Sequence, residues 1–363
     1  MNINKKNLKI SAIAATLLVV ASFAITSQIP ANAANTPVRF TIALTGDMPY
    51  DANGLTQSAN MITDINTNPK VDFTLFSGDT MSGKGDKCTD AAYPALRANF
   101  FDKFTRPIIY TIGDNEWVDC DRAVKGGFDP LSRLALVRSN FFQDATGAYI
   151  SLGGKFKGTT PQILHDAIYP EMQMFSYKGI TFVVPHVPGS ANNSAVTSPA
   201  FKTYNDTAVD GNDAEYKARD AANVAWIAKG FAKAKSDESV GVIILLQADM
   251  DWEGFARNAA SPNNENTAAY AATKQAILTG TLAFAKPVLL QNGDQHWFQV
   301  DMPMNETAGK LVELDKGTLV ENFTRVQTFG SGFNHWVELT IDPRSETLWT
   351  ITPRIVKANI GKH

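Results

Sequence analysis

Four apolar runs in this chain end in the same dipeptide, Gly46-Asp47, Gly78-Asp79, Gly113-Asp114 and Gly293-Asp294. A glycine permits a sharp turn at the end of a strand, and the next side chain then projects over the sheet edge. In an α/β sheet the C-terminal strand ends converge on the crevice where ligands bind. Any one Gly-Asp is ordinary turn chemistry. Four of them after four strands would gather four carboxylates that repel one another, and cations replace that repulsion with coordination. His296 lies two residues past Asp294, close enough for both side chains to reach one centre. The chemistry this set could do is metal binding and metal-assisted hydrolysis.

The elements that must position these turns alternate. Strands are expected at Val38 to Leu44, Val71 to Phe76, Pro107 to Ile112, Ile180 to Val184, Val240 to Leu246 and Pro287 to Leu290. Helices are expected at Thr56 to Asn66, Ala92 to Phe104, Glu215 to Lys235 and Ala268 to Ala285, the third with Val224, Ile227, Ala228 and Phe231 on its apolar face. After Trp297 the pattern becomes a meander through Val300, Thr324 to Phe329, Trp336 to Ile341 and Thr347 to Ile351. This order predicts an α/β or α+β sandwich with helices outside. Asn193 to Asn212 is polar and reads as a surface loop.

The N-terminus carries Lys5, Lys6 and Lys9, an apolar run from Ile10 to Ile25, and the small-x-small sequence Ala31-Asn32-Ala33. That is the layout of a secretory signal peptide cleaved near Ala33. The expectation is an exported chain, periplasmic or secreted, with residues 34–363 as one domain. The alternative is an N-terminal membrane anchor, but the run is shorter than the roughly 20 residues a span needs, and no other segment is long and apolar enough. Removing the three lysines takes the formal charge from -3 to -6. No basic stripe marks a nucleic-acid partner. Cys88 and Cys120 are the only cysteines. A lone pair in an exported chain reads as a disulfide, with free thiols as the alternative.

Taken together, Gly46-Asp47-Met48-Pro49, Gly78-Asp79, Gly113-Asp114-Asn115-Glu116, Gln247-Ala248-Asp249 and Gly293-Asp294-Gln295-His296 resemble the calcineurin-like metallophosphoesterases in order and spacing. That family carries Asp-x-His, Gly-Asp, Gly-Asn-His-Glu, a lone His and Gly-His-x-His. The resemblance implies a four-layer α/β/β/α sandwich of two mixed sheets flanked by helices. It also implies a dinuclear centre where a metal-activated hydroxide hydrolyses a phosphomonoester or phosphodiester. By position, Asp47 and His296 would bind the first metal, and Asp79 would bridge. Asp114 (at the family's asparagine) and Asp294 (at its first histidine) would bind the second. Gln247 stands at the lone-histidine position, with Asp249 as its understudy. Pro49 replaces a ligand histidine, and either Tyr50 or water fills the gap.

Replacing imidazoles by carboxylates and amides hardens the site, so two divalent ions are expected, manganese or magnesium ahead of iron or zinc. Asn115 occupies the family's proton-donor position, and an amide is no general acid. His186, after the Ile180 strand, is a candidate replacement, with a structural histidine as the equal alternative. Glu116 is expected to orient the site. His335 reads as structural; His165 and His363 carry no signal. Lys84 and Arg122 could meet substrate phosphate, although exposed surface charge is the plainer reading. A Cys88–Cys120 bridge would tie two metal-bearing loops. The partner is a small phosphorylated substrate, chosen by loops at Asp86 to Ala92, Asp119 to Asp129 and Pro188 to Asp213. Nothing in the chain marks an oligomeric state. Competing readings are a metal- or phosphate-binding descendant without turnover, and an unrelated hydrolase. Against the last, neither Gly-x-Ser-x-Gly nor His-Glu-x-x-His occurs.

Overall fold

The computed structural model describes residues 37–195, 212–252, 267–313 and 316–361. The signal-like leader and most of the expected 193–212 loop lie outside the described residues.

Two large mixed sheets form the fold. The first joins β1 (Phe40–Thr45), β2 (Val71–Phe76), β3 (Pro107–Tyr110), β4 (Leu152–Gly153), β15 (Trp336–Ile341) and β16 (Trp349–Arg354). Its order is β16-β15-β1-β2-β3-β4, with β1, β2 and β3 parallel. The second joins β5 (Leu164–His165), β6 (Gln173–Tyr177), β7 (Ile180–Val184), β8 (Gly241–Leu245), β9 (Val288–Asn292), β10 (Gln299–Asp301) and β14 (Phe323–Gln327). Its order is β10-β14-β9-β8-β7-β6-β5, with β7, β8, β9 and β14 parallel. A small sheet of β11 (Asn305–Thr307), β12 (Lys310–Val312) and β13 (Thr318–Leu319) follows β10.

Side chains alternate between the two faces of a strand, and here both faces are buried. Ile42 and Leu44 of β1 meet Ile243 and Leu245 of β8 and Leu289 of β9 in the layer between the sheets. Phe73 packs there against Phe156, Phe175, Tyr177 and Phe182, in T-shaped contact with the last three. Ala43 and Phe76 point the other way, toward helices α1 (Asp51–Thr67), α2 (Ala92–Asn99) and α3 (Pro130–Phe141). Val242, Ile244, Val288 and Leu290 face α4 (Asp213–Ser236) and α5 (Ala271–Phe284). The result is an α+β sandwich of two sheets flanked by helices, and strands buried on both sides read as unbroken apolar runs.

Some elements differ from the sequence patterning. Helix α1 starts at Asp51, whose carboxylate accepts the Gly54 N–H at 2.9 Å, and it buries Met61, Ile62 and Ile65. The helix expected over 92–104 breaks at Phe100 into α2 and a single 3₁₀ turn. Helix α3 is not anticipated by periodicity, although Asp129 caps it by accepting from Ser132 N and Pro130 opens it. On α4 the buried face is rotated: Ala228 is exposed, while Arg219, Asn223, Trp226, Ile227 and Gly230 are buried.

Candidate metal centre

The turns after β1, β2, β3 and β9 interlock. Asp47 N–H donates to the Gly78 carbonyl at 2.8 Å, and Ser331 N–H donates to the Asp47 carbonyl at 2.9 Å. A Cβ on Gly113 would strike the Asp79 carboxylate, and one on Gly293 would strike that of Asp47. These glycines therefore serve close approach: each turn is bare where its neighbour's carboxylate lies against it. Asp47, Asp79 and Asp294 all take left-handed backbone, with φ of 54°, 56° and 78°. Such conformations cost on the order of 1 kcal/mol or more each and persist where the surroundings enforce them, commonly at functional sites.

Carboxylate oxygens of Asp79, Asp114 and Asp294 lie within 4.8 Å of one another. Asp47 joins them by accepting the Asp294 N–H at 2.7 Å. Burial, reinforced by mutual repulsion, pushes the carboxyls of Asp47, Asp79 and Asp294 well above the usual carboxylate range. Among the described residues, the buried Oδ2 of Asp47 and Oδ1 of Asp114 have no hydrogen-bond donor. Ser190 makes the shortage of positive charge concrete. Its hydroxyl lies 2.6 Å from Asp114 Oδ2 and 2.7 Å from Asp119 Oδ1. One hydroxyl proton serves one of these contacts, so the other needs a protonated carboxyl. Burial, with Asp114 adding repulsion, lifts Asp119 to about 7 against the lowering effects of Arg122 and the Ser190 hydroxyl. Orphaned carboxylate oxygens, crowded acids and oxygen-dominated donors fit a divalent cation, which supplies the charge that protons otherwise must.

Tyr50 stands at the centre of the remaining contacts. Its hydroxyl accepts from Asn115 Nδ2 at 2.9 Å, donates toward Asp79 Oδ2 at 3.4 Å, and lies 3.3 Å from His296 Nε2. Burial and the surrounding acids raise its pKa well above the ordinary value, keeping it protonated. His296 Nε2 is 3.8 Å from Asp47 Oδ1, so these two predicted ligands are neighbours. Burial lowers the His296 pKa and favours the neutral ring a cation needs. Asn115 also donates its backbone N–H to Asp79 Oδ1 at 3.1 Å. Glu116, fully buried, accepts from Gly113 N–H at 3.0 Å, Thr80 N–H at 3.2 Å and Tyr110 Oη at 2.6 Å. It joins the second and third turns.

Four residues stand apart from the ligand, catalytic or exposed-charge roles weighed for them. Gln247 turns the donor end of its amide to Asp79 Oδ2 at 3.1 Å, while its oxygen takes the Gly189 N–H. A carboxylate attracts a donor, so the amide oxygen faces away from the acids. The Asp249 carboxylate pairs with buried Arg325 at 2.7 Å, and its backbone N–H reaches the cluster at Asp294 Oδ2, 3.0 Å away. His186 is fully buried behind the site. It is held at Nδ1 by Glu171 at 2.8 Å with its ring against Trp117, and it shows no hydrogen bond to the acids. Arg122, read as exposed charge, is 5% exposed and paired with Asp119 at 2.6 Å; Lys84 is exposed. His335, buried, accepts the Val356 N–H at 3.3 Å.

Sequence reasoning missed the cations that grip the backs of the site loops. Lys125, fully buried, donates to the carbonyls of Ser82 and Asn115 at 2.6 and 2.8 Å. Arg219 holds His186 O, Asn192 O and Asn192 Oδ1. Those contacts fix the segment Ser190 to Asn193, four successive non-glycine residues at left-handed φ. Lysines and arginines are rarely buried unless paired, and nothing local in the chain distinguishes these from surface ones. A disulfide joins Cys88 to Cys120, with Cα atoms 5.7 Å apart, linking the segments beyond the second and third turns.

No family model matches the chain, and no curated protein matches it. Among solved structures it is similar to GAP50, the anchor in the inner membrane complex of Plasmodium. The TM-score is 0.42 and the identity 10%, over 88% of this chain and 90% of that one. A likeness this loose adds no argument about fold or function.

Proposed function

We propose that the chain is a metal-dependent phosphoesterase of the calcineurin-like type, hydrolysing a phosphomonoester or phosphodiester. The observation that carries this reading is the mutual approach of Asp79, Asp114 and Asp294, from strand-end turns of two sheets, with Asp47 and His296 alongside. Asp47, Asp79, Asp114, Asp294 and His296 would hold divalent ions, manganese or magnesium before iron or zinc, given four carboxylates and one imidazole. Such ions polarise phosphoryl oxygens and lower the pKa of water. The chain's own residues orient and hold. Gln247 and the Asn115 N–H fix the two Asp79 oxygens, the Asp294 N–H fixes Asp47, and Tyr50 presents a protonated oxygen beside His296. The lysine-rich, apolar, Ala-x-Ala leader supports export of this enzyme.

A second reading, cation binding without turnover, is favoured by one feature. The family's proton-donor position holds the Asn115 amide, engaged with Tyr50, and His186 is turned to Glu171. Metal-stripped protein should be assayed on an aryl phosphate and an aryl phosphodiester with Mn, Mg, Zn or Ca restored, alongside Asp79→Asn. The phosphoesterase reading expects metal-dependent turnover that Asp79→Asn abolishes. Stoichiometric binding without turnover on either ester would replace it with the second reading.

A further inference from the structure

The four carboxylates are not held alike. Among the described residues, Asp47 and Asp79 are fixed by backbone N–H groups, Gln247 and Tyr50. Asp114 and Asp294 each have an aspartate–arginine pair behind them. Behind Asp294, the Asp249 N–H donates to Oδ2 at 3.0 Å while the Asp249 carboxylate takes Arg325 Nη1 at 2.7 Å. The same guanidinium, fully buried, forks onto Asp301 at 2.8 and 2.5 Å. Behind Asp114, Ser190 Oγ lies 2.6 Å from Asp114 and 2.7 Å from Asp119, and Asp119 takes Arg122 Nη1 at 2.6 Å. Arg122 also reaches the Gly83 carbonyl at 3.0 Å and Ser190 Oγ at 3.4 Å.

Both relays run through strained backbone. Ser190 lies at φ 47°, and Met250 and Asp251, just past Asp249, at 61° and 47°. Left-handed backbone at non-glycine residues relaxes unless the surroundings enforce it. On the Asp249 side the enforcement comes from Arg325 and from Lys274, whose Nζ holds the Met250 carbonyl at 3.0 Å. On the Ser190 side it comes from Arg122 and Arg219. The arginines' planar forks make several directed bonds at once, which a lysine ammonium cannot reproduce.

We infer that Arg122 and Arg325 are positioning residues for the cation site: through Ser190–Asp119 and through Asp249 they set the orientation in which Asp114 and Asp294 meet a divalent metal. The inference rests on the metal-centre reading above. It differs sharply from a simple charge effect. Removing a nearby positive charge strengthens the field felt by a cation and tightens its binding. Loss of orientation weakens it, and altered partners of metal ligands typically cost 10–100-fold in affinity.

The test is calorimetric titration of the metal-free protein with Mn²⁺, for wild type, Arg325→Lys, Arg122→Lys, Arg325→Gln and Asp249→Asn, each checked for folding by its melting transition. The lysine variants keep the charge and lose the fork. Asp249→Asn keeps the backbone N–H and leaves Arg325 forked on Asp301; it also removes a negative charge, which alone weakens cation binding, so its decisive outcome is unchanged affinity, and that keeps the inference refutable if an arginine variant fails to fold. Positioning predicts Mn²⁺ dissociation constants raised about 10-fold or more in every folded variant. Unchanged affinity in the folded lysine variants and in Asp249→Asn, or tighter binding in Arg325→Gln, would overturn it. Failure of wild type to bind Mn²⁺ would instead remove the metal reading on which the inference stands.

Discussion

His186 should make this protein lose stability in mild acid, by an amount the structure allows to be worked out. Its ring is fully buried. Glu171 accepts at Nδ1, but the Glu171 charge is already taken by Arg138, which forks onto it at 2.5 and 2.9 Å. Burial therefore dominates and lowers the His186 pKa from 6.5 to about 4. Between these values the unfolded chain binds a proton that the folded chain refuses. Unfolding free energy then rises with pH across that window, and it is lost as pH falls from about 6.5 to about 4. A difference of about 2.5 pKa units corresponds to a limit of about 3 kcal/mol, of which about 2 kcal/mol falls between pH 7 and pH 4.5. Glu171, lowered to about 2 by its hydrogen bonds to His186 and Arg138 against the opposing effect of burial, adds its own loss only at lower pH. The assay is denaturant unfolding of metal-free protein at pH 7 and pH 4.5, comparing wild type with His186→Gln. Glutamine keeps a donor for Glu171 and does not titrate, so acid-cluster effects cancel in the difference. Parallel pH dependences, or a wild type that gains relative to the variant in acid, would refute the reasoning by showing a charged imidazole in the fold.

Two further perturbations address the architecture of the site. Gly113→Ala places a methyl group against the Asp79 carboxylate and backbone. It should destabilise by about 1–3 kcal/mol, as overpacking does, and should weaken Mn²⁺ binding at least about 10-fold by calorimetry. Replacing Cys88 and Cys120 by serine opens a link between residues 32 apart in sequence. It should lower unfolding free energy by about 3–4 kcal/mol in a chemical melt.

The chain announced its strands better than its helices, for physical reasons. β2, β7 and β15 fall on their expected residues: β7 is buried on both faces and nearly all apolar, while β2 and β15 alternate apolar residues with Asp72, Thr74, Glu338 and Thr340. Helix α1 carries Gly54 and polar residues in its first turns, and its start depends on a local cap rather than on periodicity. The face of α4 was misjudged because Arg219 and Asn223 are buried for the sake of the Ser190 segment and His186, and hydrophobic patterning is blind to buried polar side chains. The acid set was legible because each Asp lies within four residues of its strand's end, behind a glycine. Gln247 and Asp249 are harder to read, because position in the chain does not say which end of an amide, or which group of an aspartate, faces inward. Tyr50 was legible as a candidate for the gap that Pro49 leaves, and Arg122 as a loop charge, but Ser190 and Arg325 carried no signal. Their roles come from contacts between segments far apart in sequence.

Whether the strand-end carboxylates form a cation site is decided by anomalous diffraction from crystals grown or soaked with Mn²⁺. An anomalous peak is expected within coordination distance, about 2.0–2.6 Å, of carboxylate oxygens of Asp79, Asp114 and Asp294. The peak is expected to be absent in crystals of Asp79→Asn. A map without a peak among these three residues, at Mn²⁺ concentrations that populate other acidic sites, would contradict the cation site.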